Sequence, residues 1–165
     1  MDLIVSAVGN ARWDGSSARC ALGWGGITRR KYEGDGATPV GTWPMRRLLY
    51  RPDRVARPQT RLDTVELGAE DGWCDDPADP AYNQAVKLPY KARHERLWRE
   101  DEIYDLIVVL GYNDDPVVPG LGSAIFLHVA RPDFSPTEGC VALARSELER
   151  FLMQARPGDS VIVEE

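Results

Sequence analysis

The sequence has no long apolar run and few of the residues that bind metals. No stretch of about 18 consecutive apolar residues occurs, so we predict no transmembrane helix. Its two histidines and three cysteines show no CxxC or HxxxH spacing, so we expect no metal site and no cofactor. Internal repeats and low-complexity segments are missing as well. These absences favour a globular domain over a membrane, repeat or zinc-binding protein.

The first residues also lack the pattern of a secretory leader. Met1-Asp2-Leu3-Ile4-Val5 contains an acid, no basic residue and no long apolar segment. We therefore predict no signal peptide.

The sequence also lacks a net positive charge. The net charge is −6, from 26 acidic and 20 basic residues, and the arginines are scattered along the chain. This balance argues against nucleic acid or an anionic membrane as the partner. A length of 165 residues with 43% hydrophobic residues suits one domain, residues 1–165, with its own core. We expect this domain to be a monomer.

The odd number of cysteines indicates a free thiol. Cys140 is our candidate for a reactive one. Cys20 lies in an apolar stretch, where cysteine behaves as a small hydrophobic residue. Cys74 lies in a polar segment, and spacing alone leaves a Cys20–Cys74 disulfide open.

The stretch from Ala124 to Leu143, AIFLHVARPDFSPTEGCVAL, carries the strongest chemical pattern. Its first apolar run ends on His128, and Cys140 precedes the next apolar run. Neighbouring strands joined by such a loop can bring the thiol and the imidazole together. A free thiol is mostly protonated at neutral pH, and an adjacent histidine can take its proton. Gly139 lets a substrate approach the backbone, and the N–H groups of Gly139 and Cys140 are candidates for stabilising an oxyanion.

The remaining pattern predicts a mostly β fold with one or two short helices. Glu70 to Tyr90 is expected to be a long loop, and Tyr90 to Glu102 a helical turn. A helix is predicted after a capping box at Ser146-x-x-Glu149, ending at Pro157-Gly158. A two-residue hairpin turn is predicted at Gly25-Gly26. We predict strands at Leu3 to Val8 (an edge strand), Arg19 to Trp24, Ile27 to Tyr32, Val40 to Leu49, Leu62 to Leu67, Asp105 to Gly111 (a central strand, apolar on both faces), Ala124 to His128, Val141 to Leu143 and Val161 to Val163.

Three stretches together resemble the YkuD-type L,D-transpeptidases. His128, the following loop and Thr137-x-Gly139-Cys140-Val141 are similar to the family pattern His…(Ser/Thr)-His-Gly-Cys-(Ile/Val)-Arg. Glu33 to Trp43, EGDGATPVGTW, is similar to the family's Asp-x-x-Thr-Pro-x-Gly-x-(Phe/Trp) segment. Ile107 to Tyr112, running into Asn113, resembles the strand that precedes the histidine of the family. The resemblance implies a mixed β-sandwich with a cysteine-bearing loop beside a cleft.

The chain departs from the family pattern at two positions near the cysteine. Glu138 stands where the family has a second histidine, and Ala142 stands where it has an arginine thought to hold a substrate carboxylate. The separation of His128 and Cys140 is also shorter than in most members. Arg131 and Arg145 flank the motif and are candidates to replace the arginine, although solvated surface charge is the simpler interpretation.

The resemblance implies a cysteine acyltransferase that acts on peptidoglycan stem peptides. Cys140 would form a thioester with release of a D-amino acid, and His128 would act as its base. The cell wall or periplasm is then the expected location, and the missing leader leaves the cytoplasm open. An L,D-carboxypeptidase, endopeptidase or amidase, or a non-catalytic wall-binding module, are the alternatives. The predicted substrate-binding residues are Thr137, Glu138, Arg131, Trp73, Tyr112 and Asn113.

Overall fold

Strands form most of the regular structure, and there is one helix. The computed structural model describes residues 1–165. Its elements are β1 (Leu3–Ser6), β2 (Asn10–Trp13), β3 (Ser16–Ala21), β4 (Ile27–Thr28), β5 (Thr38–Pro39), β6 (Gly41–Tyr50), β7 (Thr64–Glu66), β8 (Asp71–Cys74), β9 (Ala85–Lys87), β10 (His94–Arg96), β11 (Leu106–Leu110), β12 (Phe126–Val129), β13 (Val141–Leu143), α1 (Arg145–Gln154) and β14 (Ser160–Glu164).

Eight of these strands form a sheet that closes on itself. The order is β11-β12-β13-β3-β2-β1-β14-β6, and β6 pairs back onto β11 in antiparallel register. Strand β7 extends the sheet as a parallel neighbour of β6. The mostly β class with one helix is confirmed. The predicted sandwich is not, because the main sheet closes into a barrel instead of remaining open.

The barrel separates two apolar clusters because side chains alternate across each strand. On β11, Leu106, Val108 and Leu110 point into the barrel, whereas Ile107 and Val109 belong to a second cluster outside it. All five residues are buried, which confirms the predicted central strand. The second cluster lies between the barrel wall and a small sheet of order β10-β8-β9.

Helix α1 packs its apolar face onto the barrel interior. Leu148, Phe151 and Leu152 are fully buried among the interior side chains, and the Phe151 ring meets Trp13 edge-on at 5.7 Å between centroids. The predicted capping box is wrong. The helix begins at Arg145 after Ala144, which makes no side-chain cap, so Ser146 lies within the first turn.

The predicted hairpin at Gly25-Gly26 is also wrong. Strand β4 pairs in parallel with β5 instead of with a following antiparallel strand. The hairpin forms earlier, between β2 and β3, where Asp14 and Gly15 both have positive φ. Such a turn favours Asp-Gly, because glycine adopts positive φ without strain. Strand β1 forms within Leu3 to Val8, but it lies between β2 and β14 rather than at an edge.

The segments predicted as a long loop and a helical turn contain the small sheet. Strands β8, β9 and β10 are three or four residues long, too short to show a clear period in the sequence.

All three cysteines are free, so no Cys20–Cys74 disulfide is formed. Cys20 lies inside the barrel and Cys74 in the small sheet. Helix α1 has 10 residues, which is too short for a membrane-spanning helix.

Candidate active site

Strands β12 and β13 bring His128 and Cys140 to the same side of the barrel wall. The strands are parallel, with Leu127 opposite Val141, and Cys140 lies just before β13. Because side chains alternate along β12, Leu127 points into the barrel and His128 points out of it. The outer face opens on a cavity of about 550 Å³, and both His128 and Cys140 line it.

The cavity brings together five of the predicted site residues. Thr137, Glu138 and Arg131 line it with the histidine and the cysteine. Glu138 and Arg131 are exposed at the surface, whereas Cys140 is 6% exposed and His128 4% exposed. The thiol and the imidazole therefore lie at the floor of the cavity, below a polar rim.

The Cys140 thiol is held between two backbone groups. It donates to the carbonyl of Ala124 at 3.2 Å and accepts from the N–H of Phe126 at 3.3 Å. Burial, together with the nearby Glu95 carboxylate, raises the pKa of Cys140 to about 12. The thiol is therefore protonated in the resting protein.

The His128 ring is oriented by the backbone. Its Nδ1 lies 2.9 Å from the carbonyl oxygen of Val129, which can only accept, so Nδ1 carries the proton and Nε2 keeps a lone pair. Burial lowers the pKa of His128 to about 4. The ring is therefore a neutral base at neutral pH. No hydrogen bond joins His128 to Cys140 in this structure.

The turn that carries the cysteine is fixed by two threonine hydroxyls. The hydroxyls of Thr137 and Thr38 both donate to the carbonyl of Cys140, at 2.7 and 3.5 Å. Thr38 also accepts from the N–H of Gly23, and Thr137 accepts from the N–H of Gly139. The Gly139 N–H is thus occupied, whereas the Cys140 N–H makes no hydrogen bond. The oxyanion role of both groups stays a prediction.

Gly139 is required by both its conformation and its surroundings. Its φ is +134°, a value that other residues rarely adopt. A Cβ atom at this position would lie 2.9 Å from the carbonyl oxygen of Ala37. The segment that resembles the Thr-Pro-x-Gly motif therefore packs directly against the turn that carries Cys140.

The comparison with known protein families agrees with this geometry. The family model of the L,D-transpeptidase catalytic domain, YkuD, matches residues 7–163. The chain belongs to this family. The chain is also similar to the crystal structure of the helical cell shape determining protein Pgp2 from Campylobacter jejuni, with 17% identity and a TM-score of 0.41. The match covers 99% of this chain and 46% of that one, so this chain spans less than half of that protein. No curated protein matches the chain.

Three predicted substrate-binding residues, Trp73, Tyr112 and Asn113, lie outside the cavity lining. They surround Asn83 instead. Its Oδ1 accepts from the Trp73 indole and from the N–H of Ala124, both at 3.0 Å. Its Nδ2 donates to the carbonyls of Tyr112 and Asn113 at 3.0 and 2.8 Å. This network supports Ala124, a non-glycine residue with positive φ whose carbonyl accepts from the thiol. The placement supports an anchoring role for these residues and does not support substrate binding.

The cavity also has lining residues that the sequence did not indicate. Glu95, Arg99 and Tyr104 line the cavity. They come from β10 and the loop after it, where no motif or periodicity indicated them. Arg145, by contrast, pairs with the buried carboxylate of Asp105 and does not line the cavity.

Proposed function

We propose that this domain is a cysteine acyltransferase that performs L,D-transpeptidation on peptidoglycan stem peptides. The supporting observation is that Cys140 and His128 share one cavity, with the imidazole already oriented by a backbone carbonyl. Membership of the L,D-transpeptidase family, which acts on peptidoglycan, supports this substrate class. Action on stem peptides would place the working site in the periplasm or cell wall.

The first half-reaction forms a thioester on Cys140. The sulfur attacks the carbonyl of an L-centre joined to a D-residue, and its proton passes to Nε2 of His128. The Cys140 N–H makes no hydrogen bond in the structure and is our candidate donor to the developing oxyanion. When the intermediate collapses, His128 returns the proton to the departing amine, and the D-amino acid leaves. Because thiol and imidazole are neutral at rest, proton transfer accompanies the attack rather than preceding it.

Arg131 is the cation best placed to take a substrate carboxylate. Arg99 is engaged by both carboxylate oxygens of Asp101, at 2.8 and 2.7 Å. Arg131 lies 3.8 Å from the same carboxylate and is exposed at the cavity. It therefore compensates for Ala142, which lines the cavity where the family has an arginine. Thr137 and Glu138 complete this side of the rim.

Hydrolysis by the same thiol is the second candidate function. Glu138 and Ala142 line the cavity at the two positions where the chain departs from the histidine and the arginine of the family pattern, and these departures leave hydrolysis open. Water in place of an acceptor amine would give an L,D-carboxypeptidase, endopeptidase or amidase. Products separate the candidates, because transfer gives cross-linked dimers and hydrolysis gives only shortened monomers. A wall-binding module would give neither.

The decisive experiment is the intact mass of the protein after exposure to a carbapenem, whose lactam carbonyl acylates the cysteine of this family. The wild type should gain the mass of one ligand, and Cys140→Ala should gain none. Cys74→Ala is the matched control, because it removes a buried thiol outside the cavity and should keep the adduct. A wild type that forms no adduct and leaves muropeptides unchanged would contradict the proposal.

A further inference from the structure

Glu95 places a carboxyl group in the cavity that holds the thiol. It lies on β10 directly opposite Trp73 of β8, and residues paired in this way point to the same face of the sheet. Trp73 packs edge-on against Phe126 of the barrel wall, at 5.2 Å between ring centroids. The Glu95 side chain therefore faces the barrel and lines the cavity with Cys140 and His128.

One oxygen of this carboxyl is held and the other is free. The Tyr104 hydroxyl donates to Oε1 of Glu95, and Oε2 makes no hydrogen bond. The Tyr104 ring also meets the His128 ring edge-on, at 5.2 Å between centroids. Tyr104 thus connects Glu95 to the imidazole, and a free carboxyl oxygen is left for a ligand in the cavity.

The charge of Glu95 responds to pH in the neutral range. Burial raises its pKa to about 7, although the hydrogen bond from Tyr104 and the charge of Arg99 oppose the rise, while Asp75 and Glu138 add to it. Both Cys140 and His128 share the cavity with it. The Glu95 carboxylate also contributes to the raised pKa of Cys140, so its charge disfavours the thiolate.

The second half-reaction needs a second proton acceptor besides His128. An acceptor amine is an ammonium ion in water, so it must lose two protons before an amide and a free thiol are formed. His128 can carry one of these protons to the departing sulfur, and the other proton needs a different acceptor. A carboxylate that titrates near neutral pH is better matched to the task, and its charge attracts the cation into the cavity.

We propose that Glu95 binds the ammonium group of the acceptor peptide and acts as the general base for resolution of the Cys140 thioester. This inference depends on the proposed function. The ammonium gives one proton to the free oxygen of Glu95, and the neutral amine attacks the thioester carbonyl. The C–N bond forms and the C–S bond breaks. The second amine proton passes through Nε2 of His128 to the sulfur, and Glu95 then releases its proton to solvent.

Glu95→Gln separates this role from a structural one, because only the second half-reaction should slow. Acylation by a stem tetrapeptide does not use the Glu95 carboxylate as a base, and this carboxylate disfavours negative charge on the sulfur, so acylation should not be slower than in the wild type. Resolution by a second stem peptide with a free side-chain amine should slow about 100-fold. The ionisation near pH 7 should vanish from the resolution profile. Single-turnover mass spectrometry of the acyl-enzyme measures both steps.

Two further variants complete the test. Glu95→Asp keeps a carboxylate and should restore much of the resolution rate. Tyr104→Phe keeps Glu95 but removes a hydrogen bond that lowers its pKa, so the resolution profile should shift to higher pH. If Glu95→Gln resolves at the wild-type rate, or if both half-reactions slow equally, the inference is wrong. If the wild type forms no acyl-enzyme on Cys140, the proposed function fails and this inference fails with it.

Discussion

At the scale of single residues, burial decides the resting state of the site. The thiol of Cys140 and the ring of His128 both lose hydration, and loss of hydration disfavours the charged form of each. The pair is therefore a neutral thiol and a neutral imidazole, not an ion pair. A substrate that occupies the cavity must supply the interactions that let charge develop. The free protein should consequently react slowly with small thiol reagents, although Cys140 remains open to an acyl donor that fits the cavity.

The depressed pKa of His128 predicts a loss of stability in acid. Between pH 6.5 and 4 the folded protein binds fewer protons at this ring than the unfolded chain does. The free energy of unfolding therefore falls as the pH is lowered through this window. The effect should reach roughly 3 kcal/mol by pH 4. His128→Gln should lack it. Urea unfolding at several pH values gives the free energy of unfolding of both proteins. In the difference between them, the titrations of the carboxylates that both proteins share cancel. Parallel stability curves would contradict the assignment.

At the scale of elements, the turn that carries Cys140 depends on a strand about a hundred residues earlier in the chain. Thr38 of β5 is 1% exposed, accepts from the N–H of Gly23 and donates to the carbonyl of Cys140. Gly139 meets Ala37, the residue before this strand. Strand β5 and the residue before it thereby support the turn through one hydrogen bond and one close backbone contact. This is a physical reason for the Thr-Pro-x-Gly segment to occur together with the cysteine motif.

Removing the Thr38 hydroxyl should affect both stability and acylation. Thr38→Val keeps the shape but leaves the buried N–H of Gly23 without a partner, which should cost about 1–3 kcal/mol. Acylation by the carbapenem should slow, because the carbonyl of Cys140 keeps only its bond from Thr137. Thr42→Val is the matched control on an exposed position of β6 and should change stability by less than about 0.5 kcal/mol. Equal behaviour of the two variants would show that the Thr38 hydroxyl is unimportant.

The limits of sequence interpretation also lie at the scale of elements. Strands β6 and β11 and helix α1 have apolar patterns long enough to be predicted, and motif order indicated Cys140 and His128. The small sheet has strands of three or four residues, so its pattern is lost among loop residues. Glu95 reaches the cavity only through that sheet. Closure of the barrel rests on pairing between β6 and β11, which are distant in sequence and are joined by no local signal.

At the scale of the whole molecule, one wall of the barrel separates the main hydrophobic core from the candidate active site. The larger apolar cluster fills the barrel and includes the buried face of α1. The smaller cluster, which contains Cys140, lies between the barrel wall and the small sheet. Strands β11 and β12 contribute to both clusters, since alternate side chains point to opposite sides. Strand β13 contributes Val141 and Leu143 to the larger cluster, and its Ala142 lines the cavity. The barrel thus fixes the backbone of the site. Most side chains in the barrel interior do not line the cavity.

This division predicts that core damage and loss of activity can be separated. Phe151→Ala removes a fully buried ring that packs against Trp13, and should destabilise the protein by about 3–5 kcal/mol. Its Tm should fall by about 2–4 °C for each kcal/mol. Met153→Ala, on the same helix at a position 54% exposed, is the control and should change Tm little. Well below the lowered Tm, Phe151→Ala should acylate at the wild-type rate, because the ring lies in the barrel interior and does not line the cavity. If acylation by Phe151→Ala falls while the protein is still folded, the two clusters act as one unit, and the barrel interior must then help to position the thiol.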